Sequence, residues 1–280
     1  MTKLRKRMLE NMKLNGLSYR TRECYLNAVK QLTKFYMRPP DTISAEEIRS
    51  YFLHLVEDEV VAPATIQVYR AGIRFLVEKT LMREWGDLKI IRPRRYRKLP
   101  DVLTVAEVQL ILRSMRDKRY QMCLKIIYAC GLRVSEGVTL TVSQIDSERH
   151  LLKVIGRKGK KDRYVPIPNV LLEELRDYWR AYKPGPYLFY GEDKNRPLCD
   201  ATLRRAFNRV ARENGIKKNG SVHCLRHSYA THMLEAGIDL LSIQDILGHA
   251  RLETTLIYTH LTERTKMKAL SAISEIMTFQ

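Results

Sequence analysis

The sequence predicts a mainly α protein with a small antiparallel β-sheet, an α+β class. Three observations carry this. Apolar residues recur at steps of three and four along most of the chain. Two of these runs open on a Ser or Thr followed three residues later by Glu, at Ser44 and Thr104. A strand–turn–strand pattern is confined to residues 150–167.

The elements follow in order. Residues 3–15 form a first helix. Ser18 precedes a second, in which Tyr25, Val29, Leu32 and Tyr36 share a face, and Met37-Arg38-Pro39-Pro40 ends it. The Ser44 capping box opens a third, with Ile48, Tyr51, Phe52 and Leu55 at helical steps. Pro63 opens a fourth, carrying Ile66, Tyr69, Ile73 and Leu76. No strand is expected before residue 85. The composition then shifts to KIIRPRRYRK over 89–98, six basic residues in ten. A solvated linker and a linker lying along a phosphate backbone are compatible readings. The second makes Arg92, Arg94, Arg95, Arg97 and Lys98 DNA contacts. The domain boundaries are therefore 1–88, a basic linker at 89–101, and 102–280.

The second domain opens on the Thr104 capping box, with a helix to about Arg116. An apolar helix at 120–130 is stopped by Gly131. His150–Ile155 and Arg163–Ile167 flank the turn Gly156–Asp162, a hairpin with a basic tip; Ile145-Asp146 adds a short third strand. Helical patterns resume at 169–182, 200–214, 222–236, 239–247 and 263–277.

Composition narrows the function classes. The 280 residues carry 50 Lys+Arg against 31 Asp+Glu, a formal net charge of +19. Residues 1–100 hold 21 basic and 11 acidic residues, so the excess is spread along the chain rather than gathered in a tail. Such a balance points to a polyanionic partner, nucleic acid before a membrane surface. The five scattered cysteines form no CxxC pair. Neither a disulfide framework nor a zinc ribbon is expected, and a reducing cytosol fits. No apolar run reaches the ~18–20 residues of a bilayer span, and no signal peptide is expected.

Four segments of the second domain carry chemistry. Gly131-Leu132-Arg133-Val134-Ser135-Glu136 places an Arg at a helix start; alone, Arg133 reads as a surface residue paired with Glu136. Lys158 lies on the hairpin tip, where a lysine is ordinarily solvated. His223-Cys224-Leu225-Arg226-His227 opens a helix with His223 and Arg226 on one face. His223, His227 and His232 could be read as metal ligands, but no carboxylate falls at a matching step and His232 drifts off the face, so no metal site is expected. Finally, Leu247-Gly248-His249 precedes Thr254-Thr255-Leu256-Ile257-Tyr258-Thr259-His260.

Taken jointly, GLR, a basic hairpin, HxxRH, LGH and TTxxYTH in this order resemble the tyrosine recombinase (lambda-integrase) family. Within it they are most similar to the compact Xer-type and integron-type members. The resemblance covers nearly the whole chain. It implies that the helical N-terminal part is a core-binding, SAM-like domain and that the remainder is a tyrosine-recombinase catalytic domain. It implies catalytic roles for Arg133, Lys158 (with Lys160 and Lys161 as alternatives on the same turn), His223, Arg226, His249 and the nucleophile Tyr258, with Glu136 in support. A DNA-bound tetramer, docked through the C-terminal segment onto a neighbouring protomer, and a recombinase partner are further implications. So is a bacterial, cytoplasmic, nucleoid-associated setting.

The residue types suit this chemistry independently. In-line attack on a phosphodiester builds negative charge on the nonbridging oxygens, which two guanidiniums grip with permanent charge. A free Tyr, with a pKa near ~10, needs a proton acceptor, a role open to His223. The departing 5′-oxygen needs a proton, for which Lys158 is suited, and His249 would hydrogen-bond the phosphate. No P-loop is present and no carboxylate cluster of the two-metal type stands out, so neither ATP, a metal nor another cofactor is expected.

Three other classes are open to the sequence. A type IB topoisomerase-like enzyme shares the chemistry but needs no synapsis. An HUH-type relaxase needs a His-x-His pair, which the chain lacks. A non-enzymatic DNA-binding regulator would leave six ordered catalytic-type residues unexplained. Arg204 and Arg205, on the predicted helix after Asp200, are either a solvated face or DNA contacts. The short stretch between the hairpin and His223 leaves little room for the extra insertion of integron members.

Overall fold

The computed structural model describes residues 2–58, 61–85, 100–156, 161–217, 221–249 and 251–259. The chain divides into two compact units, Met1–Lys98 and Leu99–Gln280. The basic linker residues Arg92, Arg94, Arg95, Arg97 and Lys98 lie outside the described residues, as do Lys158 with its alternative Lys160 and the segment 263–277.

The first unit is helical throughout its described residues: α1 Lys3–Leu14, α2 Tyr19–Tyr36, α3 Ala45–Glu57 and α4 Pro63–Phe75, the last running into a π-turn at Leu76–Thr80. Local chemistry sets the starts. The Ser18 hydroxyl accepts from the Thr21 amide at 3.2 Å, and Ser44 and Glu47 cap one another reciprocally. Of the periodic residues, Leu32, Ile48, Tyr51, Phe52, Leu55, Ile66, Tyr69 and Ile73 form one core, whereas Tyr25, Val29 and Leu76 join a different cluster. Met8 and Met12 of α1 close over Leu76 in a second cluster.

The second unit holds α5 Val105–Ser114, α6 Lys118–Ala129, α7 Val134–Val138, strands β1 Ile145–Asp146, β2 Leu151–Val154 and β3 Arg163–Pro166, then α8 Asn169–Tyr182, α9 Asp200–Glu213, α10 His223–Glu235, α11 Leu240–Leu247 and α12 Glu253–Leu256. The strands form one antiparallel sheet in the order β1-β2-β3. Val154 pairs with Arg163 and Leu152 with Val165, so Arg163 is the first paired residue after the hairpin turn. Helix α6 is central, burying Met122, Cys123, Leu124, Ile126 and Ile127. Helix α10 is unlike the amphipathic helices around it. Cys224, Leu225, Arg226, Ser228, Tyr229, Ala230 and Thr231 are all buried, so it is enclosed on most of its circumference. Among its buried polar groups, the Ser228 hydroxyl accepts from the Leu103 amide and donates to the Cys224 carbonyl, both at 2.8 Å. Among the described residues no helix is long and apolar enough to cross a membrane.

Candidate active site

Two helix ends build the site. Helix α6 stops at Gly131, whose φ is +58°; Gly131 N–H donates to Tyr128 O at 3.2 Å and Leu132 N–H to Ile127 O at 2.9 Å, a Schellman turn. Helix α11 ends the same way at Gly248, φ +62°, with Gly248 N–H on Asp245 O and His249 N–H on Gln244 O. A Cβ on Gly131 would stand 2.6 Å from Tyr229 and 2.8 Å from Leu247, so the close approach itself requires glycine. These turns deliver Arg133 and His249, the residues immediately beyond the GL and LG pairs.

Arg226 joins the two turns. Its guanidinium donates to Gly131 O at 2.7 Å and Leu247 O at 2.6 Å, and it is 1% exposed. Carbonyls at helix C-termini carry partial negative charge, which suits a buried cation. Burial, reinforced by the neighbouring Arg133 charge, pushes the Arg226 pKa down to about 9, leaving it charged at neutral pH. Arg133 donates to Glu136 Oε1 at 2.7 Å and to Gly248 O at 3.2 Å, and its backbone N–H reaches Glu136 Oε2 at 2.8 Å.

The Glu136 carboxylate is the shared anchor. Arg163 on β3 donates to both its oxygens, at 3.1 and 2.8 Å, and its Nε reaches Ile246 O at 2.7 Å. The Arg226 guanidinium stands 3.9 Å away. Burial would raise the Glu136 pKa, but hydrogen bonds and charge from Arg163 and Arg133 hold it at about 2.

Tyr258 follows the short helix α12 and is 1% exposed. Its hydroxyl lies 2.9 Å from Nδ1 of His227. The His249 ring stacks on Tyr258 at 6.4 Å between centroids, and its Nδ1 is 2.9 Å from the Thr255 hydroxyl. The His223 ring packs edge-on against His227 at 4.7 Å. Burial raises the Tyr258 pKa while the Arg226 and Arg133 charges pull against it. Burial lowers His223, helped by Arg226, Arg133 and Arg204. His227 is lowered to about 4 by burial, then by His223 and Arg226. Both imidazoles are therefore neutral at pH 7.

Arg133, Glu136, His223, Arg226, His249 and Tyr258, separated by up to 125 residues in sequence, thus converge on one cluster. His232 is committed elsewhere, its Nδ1 2.8 Å from the Tyr128 hydroxyl. Arg204 is half-exposed and paired with Asp200; Arg205 is exposed and reaches the Thr202 hydroxyl at 3.3 Å. Two features of the cluster escape sequence reasoning: the residue Arg163, one more basic residue beside a basic turn, and the pairing of His227 with Tyr258. The motif HxxRH contains His227 but gives no sign that its ring meets the phenol 31 residues later. Chemically, the arrangement sets a buried phenol against a neutral imidazole beside fixed guanidiniums, an environment suited to nucleophilic attack on an anionic centre.

Comparison with known proteins identifies the family. The phage integrase family profile matches residues 101–265, and the SAM-like N-terminal domain of phage integrases matches residues 4–87. A Sinorhizobium fredii chain named as an integrase/recombinase, y4qK, is 37% identical over 278 residues, covering 99% of this chain and 90% of that one. A tyrosine recombinase of Pseudothermotoga lettingae is 32% identical over 284 residues, covering 95% and 98%. A lambda integrase dimer bound to a COC′ core site shares the fold with a TM-score of 0.70 at 17% identity, over 90% of this chain and 76% of that one. With the family profile spanning more than half of its length, the chain belongs to the phage integrase family, the tyrosine-type site-specific recombinases.

Proposed function

We propose that this recombinase cleaves and rejoins double-stranded DNA at a specific site through a covalent 3′-phosphotyrosyl intermediate, with no metal and no ATP. The observation that carries the reading is the placement of Tyr258: a buried phenol hydrogen-bonded to an imidazole, in the field of Arg133 and Arg226. Arg133 and Arg226 grip the nonbridging oxygens, with Glu136 fixing Arg133 in place. Tyr258 attacks phosphorus, His223 and His249 hydrogen-bond the phosphate or move protons beside it, and Lys158 protonates the departing 5′-oxygen. The phosphotyrosyl bond keeps the energy of the broken phosphodiester for religation, so no nucleotide is consumed.

DNA is the partner that the charge of +19 and the family both favour. The linker arginines and lysine at 92, 94, 95, 97 and 98, together with Arg204 and Arg205, extend that contact. Recombination joins two sites, so the working form is a homo-oligomer on DNA, a tetramer in the synapse. The fold-sharing lambda integrase was captured as a dimer on a core site. A second recombinase could supply half of the subunits.

The test is to trap covalent complexes on genomic DNA in EDTA, without ATP, and sequence the attached ends. Recovery of one recurrent sequence bearing protein on its 3′ end is expected. Loss of the complex in EDTA would refute the metal-free route, and random ends would refute site specificity. A plasmid carrying two copies of the recovered site then yields deletion or inversion. Relaxation alone would mark a topoisomerase.

A further inference from the structure

We propose that His227, in addition to the six residues given catalytic roles by the family resemblance, is a catalytic residue: its Nδ1 accepts the phenolic proton of Tyr258 as the strand is cut. The inference rests on the assignment of Tyr258 as nucleophile. Its basis is geometric. Nδ1 of His227 lies 2.9 Å from the Tyr258 oxygen, the atom that would bond phosphorus. The two rings are tilted at 49° with centroids 5.7 Å apart, which brings edge and hydroxyl together instead of stacking the faces. Among the described residues the His223 ring makes no hydrogen bond to this phenol; it packs against the far histidine of the pair. His223 is thereby left to meet the phosphate, and the proton route runs through its neighbour one turn along α10.

The surroundings fit the task. From α10, His223 and Arg226 face His227; from the segment after α12, Tyr258 does; Arg133 at the start of α7 acts on the phenol. Burial and the positive neighbours keep His227 neutral at rest, so its Nδ1 has a lone pair to offer; the imidazolium it becomes is favoured only once the anionic phosphate enters beside Arg226 and Arg133. The pairing of a hydroxyl with a neutral imidazole is the general solution for activating a weak oxygen nucleophile. In the cleavage step the Tyr258 oxygen forms a bond to phosphorus while the bond from phosphorus to the 5′-oxygen breaks. The phenolic proton passes to Nδ1 of His227, and the 5′-oxygen takes its proton from Lys158. Religation reverses both transfers.

The experiment uses the full chain and a nicked duplex built on the site recovered by genomic trapping. Single-turnover formation of the covalent adduct is followed against pH for wild type, His227→Gln and His227→Ala, with DNA affinity measured in parallel. Gln can accept a hydrogen bond but cannot carry the proton away. Both variants are expected to bind DNA as wild type does and to cleave about 10²–10⁴-fold more slowly near neutrality, the usual worth of a positioned base. Their residual rates should climb with pH as solvent takes over deprotonation, whereas wild type stays flat between about pH 6 and pH 8. Rates within threefold of wild type (roughly the scatter of such measurements, far below a base effect) would overturn the proposal. So would a pH-independent loss in Ala that Gln restores, since that describes a positioning residue. A second measurement needs no variant: in the ¹⁵N-histidine-labelled wild-type chain, the His227 proton should reside on Nε2. A proton on Nδ1, donated to Tyr258, would equally overturn the assignment. Tyr258→Phe separates this inference from its parent, because an adduct in that variant removes the nucleophile itself.

Discussion

Glu136 sets one carboxylate against three guanidiniums, two in hydrogen-bond contact and the third, Arg226, at 3.9 Å. Removing one partner from a buried ionic group leaves the others uncompensated, at a cost of roughly 3 kcal/mol or more. Glu136→Gln is therefore expected to lower the stability of the second unit by roughly 3 kcal/mol, read as the urea midpoint from Trp179 fluorescence in a Trp85→Phe background. The pH dependence has a definite sign. The folded-state pKa, about 2, lies below the ordinary 4.5, so the carboxylate's stabilisation is complete above about pH 4.5 and is lost as pH falls toward 2. The gap between wild type and Glu136→Gln should close over that window. A gap that persists unchanged to pH 2 would mean that the charge of Glu136 is not what holds the arginines. At this scale the sequence exposes the ends of the network but not its middle. Arg133, Glu136 and Arg226 can be picked out from GLR and HxxR, whereas Arg163 cannot. Its contacts reach back 27 residues to Glu136 and forward 83 to Ile246, and neither spacing leaves a periodic trace.

Helix ends, more than helix interiors, decide where the chemistry sits. The turns at Gly131 and Gly248 aim Arg133 and His249 at one place, and Arg226 bonds a carbonyl of each. Gly131→Ala combines left-handed backbone strain with a Cβ driven into Tyr229 and Leu247, so a loss of roughly 2–4 kcal/mol is expected. Thr104→Ala, which removes only the cap of α5, should cost about 1 kcal/mol and leave cleavage intact. Equal losses in the two variants would show that the turn is not under steric constraint. Much of this level is legible beforehand, because it is written in local chemistry. The starts at Ser18, Ser44 and Thr104 follow from caps and that at Pro63 from proline in the first turn, and α8 spans 169–182 as its periodicity indicates. The five-residue α7 and four-residue α12 are too short to show a period, although α12 is what presents Tyr258. The largely enclosed α10 has almost no apolar stripe to read, since its burial comes from contacts on several sides.

Across the molecule the charge of +19 divides into a large share available to track phosphates and a small share in the cluster of Arg133, Arg163 and Arg226. Phosphate contacts release counterions, and a protein making several of them loses roughly 10³–10⁵ in affinity between 50 and 200 mM salt. Fluorescence anisotropy on the recovered site should give a steep negative slope of log affinity against log salt. Cleavage within the bound complex should change far less, because Arg226 is buried and Arg133 and Arg163 are only partly exposed, so salt screens them less than surface charges. A flat binding curve would argue against the proposed phosphate track. The central claim, that Tyr258 takes the DNA strand, is tested most directly by mapping the covalent bond. The trapped complex is digested with nuclease and protease and the nucleotide-bearing peptide is sequenced by mass spectrometry. Of the 15 tyrosines in the chain, Tyr258 alone is expected to carry a nucleotide, joined through its 3′-phosphate, with a free 5′-hydroxyl on the opposite strand end. A nucleotide on any other residue, or a 5′-phosphate linkage, would contradict it.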